Sequence, residues 1–169
     1  QTKCGVDSTP ILERELAASA GIGWIGKNTC IIHPRMGSWM FLGEVITTAQ
    51  LQPDRPIDNY CGSCRRCLDA CPTGALTSAY NLDARKCISY LTIEHRENLT
   101  PQQQRMIGDW LVGCDICQEV CPFNRKAPKS RVQEFRPRFP SGRLTLVQVL
   151  EMDDETYRSI FRRSAVRRV

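Results

Sequence analysis

No apolar run in this 169-residue chain approaches the roughly 20 residues that a membrane-spanning helix needs, so it reads as a soluble protein. A secretory signal peptide and the composition of a small secreted domain are also missing, which leaves a disulfide framework without an oxidising compartment. Reduced thiols then point to the cytoplasm. The paired C-x2-C knuckles of a zinc site, set apart by a longer stretch, are absent too. There is no initial methionine. The chain opens at Gln1 and closes on Arg167, Arg168 and Val169 inside a helical pattern, and it reads as an internal fragment of a longer protein. Apolar residues are not lacking: at 41% they suffice for a packed core in one or two domains.

What is abundant is cysteine, and its spacing carries chemistry. Cys61, Cys64, Cys67 and Cys71 form C-x2-C-x2-C-x3-C, followed at once by Pro72. Cys114, Cys117 and Cys121 form C-x2-C-x3-C before Pro122. This is the ligand run of a two-cluster bacterial ferredoxin, in which the fourth cysteine of each run serves the other cluster. The second run is one ligand short, since Leu111 stands three positions before Cys114. Cys87, isolated between the runs, is its replacement. One [4Fe–4S] cluster is therefore assigned Cys61, Cys64, Cys67 and Cys121, and the other Cys71, Cys87, Cys114 and Cys117. Cys4 and Cys30 remain as structural thiols.

Charge is uneven. Residues 1–124 carry 11 basic and 13 acidic side chains, a net of −2, whereas residues 125–169 carry 12 and 5, a net of +7. Arg125, Lys126, Lys129, Arg131, Arg136, Arg138 and Arg143 face a single acid, Glu134. Such a stripe suits a polyanion, or is a solvated basic surface. Phe135 and Phe139 within it could stack on unpaired bases, or pin a proline-containing linker to the core.

Local patterns divide the chain into three sections. In residues 1–52, Thr9 and Pro10 begin a helix with Leu12, Leu16 and Ala20 on one face, stopped by Gly21 and Gly23. Two strand-like segments follow, Thr29–His33 and Trp39–Thr47. Residues 53–124 hold the cluster ligands. There, Thr100, Pro101 and Gln103 open a helix with a capping box, and Met106, Ile107, Trp110 and Leu111 form its apolar stripe. Residues 125–143 are a basic connector. Two short helices complete the chain, the first with Leu144, Val147 and Leu150, the second capped by Asp153 with Tyr157, Ile160 and Phe161. Trp24, Trp39 and Trp110 are expected in the core.

Two close clusters conduct electrons but perform no reaction alone, and the flanks on both sides exceed a free ferredoxin. The segments Val6-Asp7-Ser8-Thr9-Pro10-Ile11-Leu12-Glu13-Arg14, Gly23-Trp24-Ile25-Gly26-Lys27-Asn28 and Cys87-Ile88-Ser89-Tyr90-Leu91-Thr92-Ile93-Glu94-His95-Arg96, with both cysteine runs, closely resemble the epoxyqueuosine reductase family. The match runs in order from about Gly5 to Arg168.

The resemblance implies an oxidoreductase that uses cobalamin and two [4Fe–4S] clusters to convert epoxyqueuosine to queuosine in a tRNA anticodon loop. It implies an α+β chain: residues 1–52 as the C-terminal part of an α/β cobalamin-binding domain, 53–124 as a ferredoxin-like domain, and 125–169 as a basic linker and the start of a helical, HEAT-like domain. Asp7 matches the family's proton donor. Asp7, Gly26, Lys27, Asn28, Ile31, Ser89, Tyr90, Thr92 and His95 are the candidate cobalamin contacts, with Lys27 also able to reach a phosphate or solvent and His95 a tRNA. Arg125, Lys126, Lys129, Arg131 and Arg136 are the candidate tRNA contacts. A monomer with a separate electron donor is expected. The chain by itself is expected to load iron, to hold cobalamin weakly or not at all, and to be inactive on tRNA. A ferredoxin-type electron-transfer subunit and a cobalamin-dependent reductive dehalogenase are the alternatives.

Overall fold

A computed structural model describes residues 2–5, 10–136, 144–162, 164 and 166. In chain order the elements are strand β1 (Thr2–Gly5), helix α1 (Glu13–Ser19), strands β2 (Trp24–Ile25), β3 (Ile31–Ile32) and β4 (Glu44–Thr47), helix α2 (Arg66–Ala70) and strands β5 (Leu76–Ser78) and β6 (Asn81–Leu82). Helices α3 (Ile88–Ile93), α4 (Pro101–Ile107), α5 (Ile116–Glu119), α6 (Leu146–Leu150) and α7 (Asp154–Ile160) follow. The strands form three two-stranded antiparallel ladders, β1–β4, β2–β3 and β5–β6. Mixed helix and sheet is therefore the observed class.

The chain divides into two compact units, residues 1–83 with 115–128, and residues 84–114 with 129–169. These cuts fall elsewhere than the boundaries at 52 and 124 suggested by composition. The cause is visible in the first unit, where the second cysteine run returns to the first section of the chain. Ser38 N–H donates to Asn124 Oδ1 at 2.7 Å, Asn124 Nδ2 donates to Ser38 Oγ at 2.8 Å and to the Gln118 carbonyl at 2.7 Å, and Ser38 Oγ donates to Gln118 Oε1 at 2.8 Å. Gly37 permits this approach: at φ +67° it sits where a Cβ would run into Asn124 Oδ1.

Within this unit Trp24, Ile32 and Cys121 form a buried nucleus, with Ile57, Cys61 and Phe123 packed on it. The Trp24 ring meets Tyr60 and Phe123 edge-on, at centroid distances of 5.2 and 4.8 Å. Two such contacts add about 0.5–1.5 kcal/mol each beyond the area they bury. Cys121 thus lies in the hydrophobic core itself, and Cys61 packs against it.

Several local expectations are corrected. Helix α1 starts at Glu13 with Leu12 as an uncapped N-cap, and Thr9 lies outside the described residues. Ala17 is its buried residue, while Leu12, Leu16 and Ala20 are exposed. Its end was legible: Gly21, at φ +67°, closes a Schellman motif, with Gly21 N–H bonded to Ala18 O and Ile22 N–H to Ala17 O. The expected strand Thr29–His33 shortens to β3 because Thr29, at φ +65°, belongs to the preceding turn. Of Trp39–Thr47 only the last four residues are strand, since only they have a partner, β1. Trp24 is buried at 3% exposure, but Trp39 and Trp110 are 45% and 39% exposed.

In the second unit α3 buries Ile88 and Leu91, and α4 carries the expected capping box: Thr100 Oγ1 accepts from Gln103 N–H and Gln103 Oε1 from Thr100 N–H. The stripe is shorter than expected. Gly108 at φ +57° ends α4, so Ile107 is buried whereas Trp110 and Leu111 lie beyond the helix and are exposed. Helix α6 opens on a second capping box at Thr145, and α7 is capped by Asp153, which accepts from Thr156 N–H at 2.7 Å.

Candidate iron–sulfur and cofactor site

The sequence from Cys61 to Cys67 is a tight loop running into α2. Gly62 takes φ +46°, Cys64 N–H bonds back to Cys61 O at 3.0 Å, and Asn59 Oδ1 accepts from Cys61 N–H at 2.9 Å. Lys27 clamps this loop from across the unit: its Nζ donates to the carbonyls of Gly62 at 2.6 Å and Cys64 at 2.9 Å. Cys121 arrives from the far run, two residues beyond the end of α5, with its N–H on Gln118 O at 3.0 Å. Cys61, Cys64, Cys67 and Cys121 together line one cavity of about 260 Å³, whose remaining wall includes Ile32, Tyr60, Pro122 and Phe123.

Four sulfurs around one largely apolar cavity fit a cubane. Burial pushes the Cys67 and Cys121 thiols up, so they would resist ionising in this space without the positive charge of metal. None of the ten cysteines is in a disulfide.

Of the other four cysteines expected as ligands, Cys71 and Cys117 belong to the first unit and Cys87 and Cys114 to the second. In the first, Cys71 ends α2; burial would raise it, but the amides of Leu76, Thr73 and Ala75 outweigh that and hold the thiol below its ordinary value. Cys117, on α5, is pushed up by the hydrogen bond it shares with Cys30 and then by burial. In the second unit, Cys87 is the N-cap of α3. Cys114 follows Gly113, whose N–H donates to Thr92 Oγ1 of that helix at 2.9 Å. Each pair is thus anchored within its own unit.

The candidate cobalamin contacts fall into two kinds. In the first unit, Asn28 is 4% exposed, with Nδ2 donating to Cys117 O and Oδ1 accepting from Cys30 N–H, and Ile31 is 5% exposed. Gly26 begins the turn leading to Cys30, where a Cβ would strike Ile32 and Asn28 Oδ1. These residues and Lys27 are occupied in building the cluster loops. In the second unit, Ser89 is half-buried, Tyr90 is exposed, and Thr92 donates to Ile88 O at 2.8 Å. His95 holds its ring 6.5 Å from that of Tyr90, with a buried Nε2 that has no hydrogen-bond partner. An orphaned ring nitrogen beside an exposed aromatic fits the wall of a site for a polar ligand. Asp7, Phe139, Arg138 and Arg143 lie outside the described residues. Arg125, Lys126, Lys129, Arg131 and Arg136 are exposed.

Two features were not legible in sequence. The Lys27 clamp joins residues 35 and 37 positions apart, and the Trp24 indole N–H reaches the sulfur of Cys61 at 3.5 Å. Among the described residues no helix is long and apolar enough to cross a membrane.

Known proteins agree with this geometry. Residues 60–124 match the family described as a 4Fe-4S double cluster binding domain, a span that holds all eight assigned ligands. An epoxyqueuosine reductase of Gloeobacter violaceus is 46% identical over 97% of this chain and 53% of its own length. A crystal structure of epoxyqueuosine reductase with an epoxyqueuosine-modified tRNA-Tyr stem loop superposes with a TM-score of 0.87 at 39% identity, over 94% of this chain and 42% of that one. The Bacillus subtilis enzyme, solved with its catalytic aspartate loop swung out of the active site, gives 0.85 at 37% identity, over 95% and 43%. The chain spans about half the length of the curated relatives it matches. Over that span, in sequence and in fold, it is similar to epoxyqueuosine reductases.

Proposed function

We propose that this chain supplies the electron path and part of the substrate site of an enzyme that reduces epoxyqueuosine to queuosine in a tRNA anticodon loop. The observation that carries the reading is the four-cysteine cavity, standing in a chain similar to epoxyqueuosine reductases over 97% of its length. Removing an epoxide oxygen leaves a carbon–carbon double bond and water, and consumes two electrons and two protons. The clusters held by Cys61, Cys64, Cys67 and Cys121 and by Cys71, Cys87, Cys114 and Cys117 would pass the electrons singly from a separate donor. Cobalamin, when bound, would supply a strongly reducing, nucleophilic metal centre at the epoxide.

The remaining roles belong to this chain's residues. Asp7 would protonate the departing oxygen, since an alkoxide needs an acid within reach. A B. subtilis relative described with an aspartate-bearing catalytic loop supports a catalytic aspartate in such an enzyme. Ser89, Tyr90, Thr92 and His95 would border the cofactor, with the unpartnered His95 Nε2 available to a polar edge of it. Gly26, Lys27, Asn28 and Ile31 would hold the cluster loops. Arg125, Lys126, Lys129, Arg131 and Arg136 would neutralise tRNA phosphates. In this reading residues 1–52 are the end of a cobalamin domain and 125–169 lead into a helical one. The protein would act as a cytoplasmic monomer.

Expression of the full-length gene in a strain lacking its own epoxyqueuosine reductase tests the proposal. Epoxyqueuosine in tRNA should disappear and queuosine take its place. Persistence of epoxyqueuosine despite an iron-loaded protein would leave an electron-transfer function instead.

A further inference from the structure

We infer that Trp24 is a positioning residue for electron transfer: its indole N–H bonds to Cys61 and raises the reduction potential of the cluster that Cys61, Cys64, Cys67 and Cys121 hold. The inference rests on the iron–sulfur reading of those cysteines and goes beyond it, to a residue that tunes the potential of one cluster.

An indole nitrogen can only donate. A buried donor without an acceptor is costly, and Trp24 is 3% exposed. The partner of Nε1–H is the Cys61 sulfur, at 3.5 Å. The ring cannot turn away from it, because Tyr60 and Phe123 meet it edge-on at 5.2 and 4.8 Å and Ile32 packs against it. Trp24 therefore fills a core position and delivers one fixed N–H to one ligand sulfur.

Reduction adds an electron to a cluster already bearing four thiolates, and the added charge is spread over the sulfurs. An N–H···S bond strengthens as that charge grows, so it stabilises the reduced state more than the oxidised one; hydrogen bonds to sulfur are among the recognised determinants of cluster potential. Dry surroundings enlarge the effect. Cys71 also receives backbone amides, from Leu76, Thr73 and Ala75, but no side-chain indole. Loss of the Trp24 N–H should therefore act on one cluster and leave the other unmoved.

The test is an EPR-monitored redox titration of the iron-loaded full-length protein, with wild type and Trp24→Phe compared at equal iron content. Phe keeps a ring in the core and lacks the donor. At a fixed potential the reduced-to-oxidised ratio of one cluster should fall roughly tenfold, the factor expected of a single hydrogen bond and equal to about 59 mV for a one-electron couple. The other cluster should titrate as before. A change below twofold in both clusters, at full iron, would overturn the inference. So would an equal shift in both, which would mark a general loosening of the core. If Phe costs iron, benzothienylalanine at position 24 has the indole's shape with sulfur in place of N–H, and the same titration decides. Absence of iron from the wild-type protein would instead remove the iron–sulfur reading itself.

Discussion

At the scale of single residues, the cysteines divide by what surrounds them rather than by type. Cys87 is the one expected ligand placed by arithmetic instead of by motif, and it stands at the head of α3, the helix that also anchors Gly113. Cys87→Ala should leave its cluster with three thiolates and cost about half of the iron in anaerobically purified protein, by iron and sulfide analysis. Full iron in that variant would remove Cys87 from the ligand set. Cys30 makes the contrast: it shares a hydrogen bond with Cys117 but belongs to neither ligand set, so Cys30→Ser should retain all the iron. Asp7 is distinct from both, since it lies outside every cluster run. Asp7→Asn should keep both clusters and lose about a hundredfold or more in single-turnover reduction of epoxyqueuosine, the usual weight of a positioned acid. A near-normal rate would take Asp7 out of the chemistry.

At the scale of elements, what sequence disclosed was what neighbours in sequence decide. The capping box at Thr100, the Asp153 cap and the Gly21 stop each depend on residues within a few positions, and each is present. The stripe Met106, Ile107, Trp110 and Leu111 failed because Gly108 turns the backbone to φ +57° before the last two can join it. The β1–β4 ladder was invisible because it pairs Thr2 with Thr47. Nothing in a short window reports such a partner. In the candidate site, likewise, the spacing of the cysteines pointed to a double-cluster domain, while the side chains that tie their loops to the rest of the first unit, Lys27, Asn28 and Ser38, act over long separations. The Asp153 cap gives a pH-dependent prediction. Its carboxyl is held below the ordinary aspartate value by the hydrogen bonds of Thr156, side chain and then backbone. A depressed carboxyl stabilises the fold above its unfolded value and ceases to do so as pH falls through its folded one. Helix α7 should therefore fray on acidification below the normal aspartate range, followed by NMR amide exchange at Thr156. Asp153→Asn should keep a cap and lose that pH response.

At the scale of the molecule, charge and clusters occupy different stretches. The first 124 residues carry a net of −2 and hold all eight ligands; the last 45 carry +7 and hold none. A cluster domain needs no such excess of base, and a site that engages an anticodon loop does, because each neutralised phosphate releases condensed counterions. The exposed Arg131 and Arg136 lie in a described stretch whose only acid is Glu134. Reversing both to Glu should weaken tRNA binding and reduce the slope of log affinity against log salt by roughly one for each phosphate that is no longer neutralised. Iron content and cluster potentials should stay as they are, because both side chains are exposed and lie outside the two cysteine runs. An unchanged slope would mean that the stretch is only a solvated connector. In that case the tRNA would have to be held by other parts of the protein, and the cluster module would serve any substrate docked beside it.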